Sequence, residues 1–287
     1  VGGGPAGLEA ARLLGERGHA VTLFEAGPRL GGQLVLAATS PRRRDLRGIV
    51  DWRRDELARL GVVVRLGTYA EPDALTGGDW DVIVVATGGL PDVPDVPGAE
   101  HVVDGWDVLS GARRVSGRVM IYDDHGGNQA LDVAEAVVRA GATVEVVTPE
   151  RAVAPDVGGL VAAGYLADLA RAGVRFTVLR RLRAVRRTPD GLVVTLGVDE
   201  TGYREEQVLE AVVTEVGTRP VTDVYDALVA GSRNGGEIDF EDLMALRPQS
   251  AVRNPDGGYQ LFRIGDAVAG RNVHAAMLDA GRLCRAI

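Results

Sequence analysis

The sequence predicts an α/β protein in which two βαβ-based units are interleaved. Its 287 residues suit two domains better than one, at roughly 150 residues per domain. A content of 46% hydrophobic and 25% charged residues is typical of globular proteins with real cores. A loop, a helix and a strand also occur twice in the same register, because Gly18 follows Gly7 at the spacing at which Gly141 follows Ala130.

The first cycle starts at a glycine-rich loop, residues 2–7, and continues with alternating helices and strands. Apolar side chains at helical spacing indicate the helices, and short apolar runs indicate the strands. In chain order these are a helix at residues 7–17, a strand at 20–24, a helix at 45–60, and strands at 62–66 and 81–86. Residues 90–98 contain three prolines, which predicts a connection that supports neither a ladder nor a helix.

The second cycle repeats this order and is followed by a return to the first unit. Its predicted elements are a strand at residues 118–122, helix 130–140, strand 143–148, helix 161–172, and strands 174–179 and 193–197. Residues 217–220 are expected to interrupt regular secondary structure. A strand at 259–265 and a helix at 272–287 follow them. The order predicts a first domain at residues 1–100, a second inserted at 101–217, and completion of the first by 218–287.

The first residues of the chain also bear on the first strand of the first domain. Residue 1 is Val, and the glycine-rich loop begins at residue 2, whereas such a loop normally follows a strand. We therefore expect the first strand of the first domain to be truncated.

Composition argues against several function classes. The longest apolar runs, such as residues 82–86, are far shorter than the ~20 residues of a membrane-spanning helix, so no membrane partner is expected. A net charge of −8 without an extended basic block argues against nucleic acid. The single cysteine, Cys284, rules out an internal disulfide, a redox cysteine pair and a four-thiolate cluster in these residues, and favours a cytoplasmic location.

The most informative motif is Gly2-Gly3-Gly4-Pro5-Ala6-Gly7, which has G-x-G-x-x-G spacing directly before a helix. Gly2 allows a tight turn, Gly4 allows a pyrophosphate to approach the backbone, and Gly7 allows helix and strand to pack closely. The helix N-terminus adds free N–H groups and partial positive charge. Glu25, after the next strand, would accept hydrogen bonds from a ribose diol and repel a 2′-phosphate. The motif therefore favours the ADP half of FAD, or ADP-ribose, over NADP.

Four motifs in order resemble the FAD-binding motifs of the two-dinucleotide-domain flavoproteins that include glutathione reductase. They are Gly2 to Gly7 with Glu25, Arg29-Leu30-Gly31-Gly32-Gln33-Leu34, Ala86-Thr87-Gly88 and Gly265-Asp266. The resemblance implies two interleaved Rossmann-like dinucleotide-binding domains, FAD-binding in the first and NAD(P)-like in the second. The residues it places at the FAD site are Gly2, Gly4, Pro5, Ala6, Gly7, Glu25, Ala26, Arg29, Gly32, Gln33, Leu34, Ala86, Thr87, Gly88, Gly265 and Asp266.

His274 is a further candidate at this site. It lies at the start of the last predicted helix, shortly after Gly265-Asp266. The N-terminus of that helix could stabilise negative charge on a reduced flavin, and we favour the helix over the imidazole for this role.

Other segments narrow the resemblance to the C-terminal half of the old yellow enzyme-like dehydrogenases. They are Gly32-Gln33-Leu34, Tyr122-Asp123-Asp124-His125-Gly126-Gly127, and residues 263–267 with 271–276. This chain is similar to the trimethylamine dehydrogenase, histamine dehydrogenase and N-methylproline demethylase group, with 2,4-dienoyl-CoA reductase a more distant relative. The resemblance implies a partner in the same parent chain, a TIM barrel carrying FMN and a 4Fe-4S cluster, and allows an electron-acceptor protein.

The second loop departs from the glycine pattern. The three glycine positions hold His125, Gly127 and Ala130, and the acidic position holds Thr148. His125 at the tight turn requires either a positive φ or a rearranged loop. Two interpretations stay open, a working NAD(P) site and a purely structural domain. Arg151 lies near the position where the acid is lost, so NADP stays open if a nucleotide binds.

Two function hypotheses follow. The first is a segment of a flavin-dependent oxidoreductase that passes electrons between FAD and a second redox centre, either NAD(P)H or the FMN and iron–sulfur barrel. The second is a scaffold that holds ADP and has no redox turnover. No metal site is expected, and no catalytic side chain is assigned, because flavins carry the redox chemistry themselves. The narrower motifs favour amine or N-methyl amino acid substrates.

Overall fold

The computed structural model describes residues 1–287, which form two compact units. The first unit comprises residues 1–38, 42–90 and 218–287, and the second comprises 39–41 and 91–217. The main segment of the second unit therefore begins at Pro91, whereas the sequence placed the division after residue 100. None of the helices is both long and apolar enough to cross a membrane.

The helices, in chain order, are α1 (Pro5–Glu16), α2 (Gln33–Ala37), α3 (Arg47–Arg59), α4 (Pro72–Thr76), α5 (Gly105–Ser110), α6 (Asn128–Arg139), α7 (Gly159–Arg171), α8 (Asp223–Leu228), α9 (Phe240–Ala245) and α10 (Val273–Leu283). The five predicted helices correspond to α1, α3, α6, α7 and α10, and five shorter helices were not predicted.

The strands are mostly short. In chain order they are β1 (Thr22–Phe24), β2 (Val63–Arg65), β3 (Val82–Val85), β4 (Gly89–Pro91), β5 (Val103–Asp104), β6 (Arg118–Asp123), β7 (Thr143–Val147), β8 (Arg175–Thr177), β9 (Arg181–Thr188), β10 (Gly191–Gly197), β11 (Arg204–Leu209), β12 (Ala211–Glu215), β13 (Thr218–Pro220) and β14 (Gln260–Arg263).

In the first unit, parallel strands β1 and β2 pair, as do β3 and β14. Val1 and Gly2 lie between these pairs, since Gly2 N–H donates to Phe24 O (2.8 Å) and Ala86 N–H donates to Val1 O (2.7 Å). Helices α1 and α10 pack together on a core that includes Ala10, Ala280 and Phe262. The carboxyl ends of β1 and β3 therefore meet the glycine-rich loop.

The second unit contains a five-stranded parallel sheet in the order β5-β12-β6-β7-β8. Helix α6 covers it with a fully buried face that includes Leu131 and Val133. A three-stranded antiparallel sheet, β11-β10-β9, follows the parallel strands in the chain. The sequence predicted only the middle strand of this second sheet.

The prediction that residues 90–98 form no ladder was wrong at its first residues. Strand β4 pairs with β13, which lies within residues 217–220, the other segment that was expected to interrupt regular secondary structure. Each of these strands is three residues long and ends in a proline, Pro91 or Pro220. Proline lacks an N–H group but keeps its carbonyl, so it is tolerated at the end of a short ladder.

Candidate dinucleotide-binding site

The glycine-rich loop of the first unit is packed too closely for side chains at two of its three motif positions. Gly2 has a φ of +102°, and a Cβ there would overlap the carbonyl oxygen of Ala86. A Cβ on Gly7 would overlap the carbonyl oxygen of Gly2. These two glycines bring the start of α1 against the end of β3.

Gly4 differs from its two neighbours because it faces open space. A Cβ at Gly4 would have no heavy atom within 4 Å. Gly4 is also the N-cap residue of α1, with Pro5 following it, and no side chain caps this helix end. An uncapped helix N-terminus beside a clear approach fits the phosphate groups of a dinucleotide.

Glu25 is held in one orientation at the end of β1. Its Oε2 accepts a hydrogen bond from Gly3 N–H (2.7 Å), and its Oε1 accepts one from Gly27 N–H (2.6 Å). Each carboxylate oxygen has a second lone pair, so the fixed carboxylate can still accept hydrogen bonds from hydroxyl groups.

The segment that includes Gly31 and Gly32 lies directly on the glycine-rich loop. Gly31 N–H donates to Gly3 O (2.8 Å), and a Cβ on Gly32 would lie 3.2 Å from Gly4 Cα. Gly32 has a φ of +52° and precedes α2, whose Leu34 is buried. The segment therefore carries Gln33 to the edge of the open space at Gly4.

Gly265 brings a third segment to α1. It has a φ of +64°, and a Cβ there would lie 2.7 Å from Ala6 Cβ. Its N–H donates to Asp279 Oδ2 (3.0 Å) on α10. This contact places Asp266 near the start of α1.

Asp266 is partly buried and bonded from two sides. Its Oδ2 accepts a hydrogen bond from Gln33 Nε2 (3.1 Å), and its Oδ1 accepts one from Arg271 N–H (3.2 Å). Burial raises the pKa of Asp266 above its ordinary value, although these hydrogen bonds and the Arg271 charge oppose the shift.

The Ala86-Thr87-Gly88 segment is tied to residues that follow β13. Thr87 Oγ1 donates to Val221 O (2.6 Å), and Val221 N–H donates to Gly88 O (3.0 Å). The Thr87 hydroxyl is therefore used inside the first unit, while Ala86 is buried against the glycine-rich loop.

Three of the expected site residues have exposed side chains, namely Ala26, Arg29 and His274. His274 is the second residue of α10, and the structure assigns the capping role there to Asn272, whose side chain accepts from Ala275 N–H (2.9 Å). Sequence reasoning missed Asn272, although an asparagine directly before an apolar helical pattern is a capping signal. It also missed Asp279, for which the sequence carries no local signal.

The second loop is rearranged rather than strained. Positive φ falls on Gly126 (+78°) and not on His125. Asp123 Oδ1 accepts hydrogen bonds from His125 N–H (3.1 Å) and Gly126 N–H (2.8 Å). A Cβ on Gly127 would overlap Gln129 Oε1 and lie 3.1 Å from His125 Cδ2. The middle glycine of this loop is thus covered by side chains, whereas Gly4 is open.

The remaining candidates of the second loop are buried. Ala130 has no exposed surface and belongs to the core of the second unit. Thr148 is likewise fully buried, and its Oγ1 accepts a hydrogen bond from Glu150 N–H (3.2 Å). In this structure no carboxylate or exposed hydroxyl stands at the position equivalent to Glu25.

Comparison with known proteins adds to this geometry. The family model for pyridine nucleotide-disulphide oxidoreductases matches residues 1–277. The chain belongs to this family. Its members bind FAD and NAD(P). The family name refers to disulphide chemistry, but the only cysteine in these 287 residues, Cys284, is buried, so the chain holds no cysteine pair of its own.

Individual relatives in the family are longer proteins. One, from Rhizobium meliloti (strain 1021), is described as a probable N-methylproline demethylase and is 46% identical over 100% of this chain and 42% of its own length. An N,N-dimethylglycine/sarcosine dehydrogenase from Chromohalobacter salexigens is 43% identical over 99% of this chain and 43% of its own. The chain thus spans less than half the length of these relatives.

A solved structure shows the same fold. Histamine dehydrogenase from Rhizobium sp. 4-9 superimposes with a TM-score of 0.82 at 25% identity, covering 99% of this chain and 42% of that protein. The expected fold class, two interleaved dinucleotide-binding domains, is confirmed by the family match and by this likeness.

Proposed function

We propose that the first unit binds FAD, with the ADP half at the N-terminus of α1, and that the chain is the electron-handling part of a flavin-dependent dehydrogenase or demethylase. The observation that carries this proposal is the meeting of separate segments around Gly4. Gly31 bonds Gly3, Gly265 packs on Ala6, and Gln33 bonds Asp266. Together they surround an uncapped helix N-terminus.

Each segment then has a role in binding. The start of α1 and the open face of Gly4 receive the pyrophosphate, and Glu25 accepts hydrogen bonds from the adenosine ribose. Gly32, Gln33 and Asp266 hold the flavin side of the dinucleotide. When bound, FAD supplies the hydride or electron transfer. The full proposed set is Gly2, Gly4, Pro5, Ala6, Gly7, Glu25, Ala26, Arg29, Gly32, Gln33, Leu34, Ala86, Thr87, Gly88, Gly265, Asp266 and His274.

For the substrate class we propose amines or N-methyl amino acids. Support comes from the names of the relatives, which include a probable N-methylproline demethylase, a dimethylglycine/sarcosine dehydrogenase and a histamine dehydrogenase. Because the chain spans 42–43% of the matched relatives, we place the substrate site in a further part of the parent protein, a barrel with FMN and a 4Fe-4S cluster. We also propose a cytoplasmic location, which the low cysteine content supports.

For the second unit we favour a structural role over an NAD(P) site. Gln129 and His125 cover Gly127, and Thr148 is buried where a ribose would need a partner. His125, Gly127, Ala130 and Thr148 thus lack the open approach found at Gly4. The electrons of FAD are then exchanged with the barrel and with an acceptor protein. In this proposal residues 1–100 and 218–287 serve FAD, and 101–217 form the degenerate domain.

The test is to identify the nucleotides of the full-length protein and then to reduce it. Chromatography of the heat-released nucleotides should show one FAD per chain in addition to FMN. Anaerobic addition of N-methylproline or sarcosine should bleach the flavin absorbance by the amount expected for FMN and FAD together, whereas NADH and NADPH should leave it unchanged. Bleaching by either nicotinamide cofactor would contradict the structural role of the second unit.

A second candidate function is a scaffold that holds ADP in place of FAD. What favours it is that the fixed carboxylate of Glu25 and the uncapped start of α1, on the roles proposed above, would contact only the half of the dinucleotide that ADP shares with FAD. Release of ADP, with no FAD, in the same chromatographic experiment would replace the first proposal with this one.

A further inference from the structure

Two buried acids lie side by side where the second unit's loop leaves the sheet. Asp123 ends β6 and Glu215 ends β12, and the parallel register pairs these two residues directly. Paired residues of neighbouring strands project from the same face of a sheet. Asp123 is 0% exposed and Glu215 is 5% exposed, so both acids are largely shielded from water.

The hydrogen bonds of Asp123 are unequally distributed. Its Oδ1 accepts from the N–H groups of His125 and Gly126, whereas its Oδ2 is buried and has no hydrogen-bond partner. A buried oxygen without a partner is costly, and native proteins rarely retain one. The missing partner must be a donor, and a protonated carboxyl group on the adjacent strand can supply one.

The surroundings of the pair are predominantly acidic. The ionisable groups that act on it electrostatically are Asp104, which caps α5, Asp124 and His125 of the loop, and Asp132 of α6, which is bonded to the Tyr165 hydroxyl. Burial, reinforced by Asp123 and Asp104, raises the pKa of Glu215 to about 8, although Gly217 N–H opposes the shift. Burial also raises the pKa of Asp123, which its two loop hydrogen bonds oppose.

We propose that Glu215 keeps its proton at neutral pH and donates it in a hydrogen bond to Asp123 Oδ2, so that the two form a carboxylic acid–carboxylate pair anchoring the second loop. The pair then carries one negative charge. Release of the proton to solvent leaves two adjacent buried carboxylates, which repel each other and remove the donor. Because Asp123 holds the N–H groups of His125 and Gly126, the order of this loop depends on that single proton.

This inference does not depend on FAD binding or on the substrate. The pair accounts for two buried acids that have no role in the proposed FAD site. It also makes the second loop a pH-responsive element, ordered at neutral pH and loosened under alkaline conditions.

The experiment compares the full-length protein with Glu215→Gln, which keeps a donor but has no proton to release, and with Glu206→Gln, an exposed control on β11. A carboxyl group whose folded pKa is raised stabilises the fold most at low pH, and this stability is lost as pH rises through the folded value. Between about pH 4.5 and about pH 9.5 the Tm of wild type and Glu206→Gln should therefore fall by a common step that Glu215→Gln lacks, most of it below the folded pKa of about 8.

Two further measurements separate this pair from a general alkaline effect. Amide hydrogen exchange at His125 and Gly126 should accelerate several-fold more in wild type than in Glu215→Gln over the same pH range. An infrared carbonyl band of a protonated carboxyl group should be present in wild type at neutral pH and vanish when the pH is raised. Identical Tm profiles in wild type and Glu215→Gln, or absence of the band, would overturn the proposal.

Asp123→Asn provides a second variant if Glu215→Gln does not fold. The substitution would remove the negative neighbour and offer an N–H donor to Glu215, so the pKa of Glu215 should fall and the Tm step should move to lower pH. A step that stays at the wild-type position would also overturn the pair.

Discussion

Gln33 Nε2 donates a 3.1 Å hydrogen bond to Asp266 Oδ2, which joins two residues 233 positions apart in the chain. Gln33 begins α2, and Asp266 follows β14. The bond links the two segments that lie against the start of α1, one from near each end of the chain. It makes these two side chains the natural place to test the proposed flavin side of the site.

Replacing Gln33 with Glu should weaken this link between the two segments. The substitution places a second carboxylate within hydrogen-bonding distance of Asp266, so the donor is lost and two like charges meet. We expect a loss of ~1–2 kcal/mol in unfolding free energy and reduced FAD retention after gel filtration. Gln207→Glu, outside this site on β11, is the matched control. Unchanged FAD content and Tm in Gln33→Glu would show that the bond does not support the site.

Asp266→Asn should stabilise the protein in a pH-dependent way. Burial raises the pKa of Asp266, so the ionised side chain costs stability as pH rises through its folded pKa. The amide that replaces the carboxyl group carries no charge, and Gln33 can turn its own amide to pair with it. The Tm difference between variant and wild type should therefore be small near about pH 4 and grow towards about pH 8. Asp190→Asn, at an exposed turn, should show no such growth.

Alanine substitutions at Gly4 and Gly7 should distinguish an effect on FAD binding from an effect on folding. A methyl group at Gly4 meets no neighbour, and its φ of −75° suits alanine, so Gly4→Ala should keep the wild-type Tm without nucleotide. The same methyl group would occupy the space proposed for the pyrophosphate and should weaken FAD binding at least tenfold, or about 1.4 kcal/mol. Tight FAD binding by Gly4→Ala would place the dinucleotide elsewhere.

Gly7→Ala should instead damage the fold. Its methyl group would overlap the Gly2 carbonyl oxygen, which belongs to the backbone and cannot swing aside. Overpacking of this kind costs ~1–3 kcal/mol, so the Tm without nucleotide should fall. Equal melting temperatures for Gly4→Ala and Gly7→Ala would contradict the packing described for this loop.

The sequence predicted the helices and strands in which apolar side chains recur at a regular spacing. The predicted strand at residues 118–122 corresponds to β6 (Arg118–Asp123), and the predicted helix at 130–140 to α6 (Asn128–Arg139). It missed β9 (Arg181–Thr188) and β11 (Arg204–Leu209), because charged side chains interrupt the apolar alternation by which half-buried strands are recognised.

In the candidate site, likewise, some residues could be placed from the sequence and others could not. Gly2, Gly7 and Glu25 could be placed from spacing because their contacts are fixed by one loop, one helix and one strand. Contacts between distant segments, such as Gly31 with Gly3 and Gly265 with Ala6, depend on how the strands are ordered and carry no local signal. The binding roles of these residues stay predictions until the nucleotide is identified.

A last prediction concerns the core of the second unit. Tyr165 of α7 donates a 2.7 Å hydrogen bond to Asp132 Oδ1 of α6, and both residues are 2% exposed. Tyr165→Phe keeps the ring but leaves the buried acid one hydrogen bond short. We expect a loss of ~1–3 kcal/mol in urea unfolding free energy with an unchanged m value.

Tyr203→Phe is the matched control for this change, because the Tyr203 side chain is half exposed and its hydroxyl makes only a long 3.4 Å bond to Glu205. It should alter the unfolding free energy by less than ~0.5 kcal/mol. If both variants unfold at the same urea concentration as wild type, the bond between Tyr165 and Asp132 contributes nothing to the packing of α7 on α6.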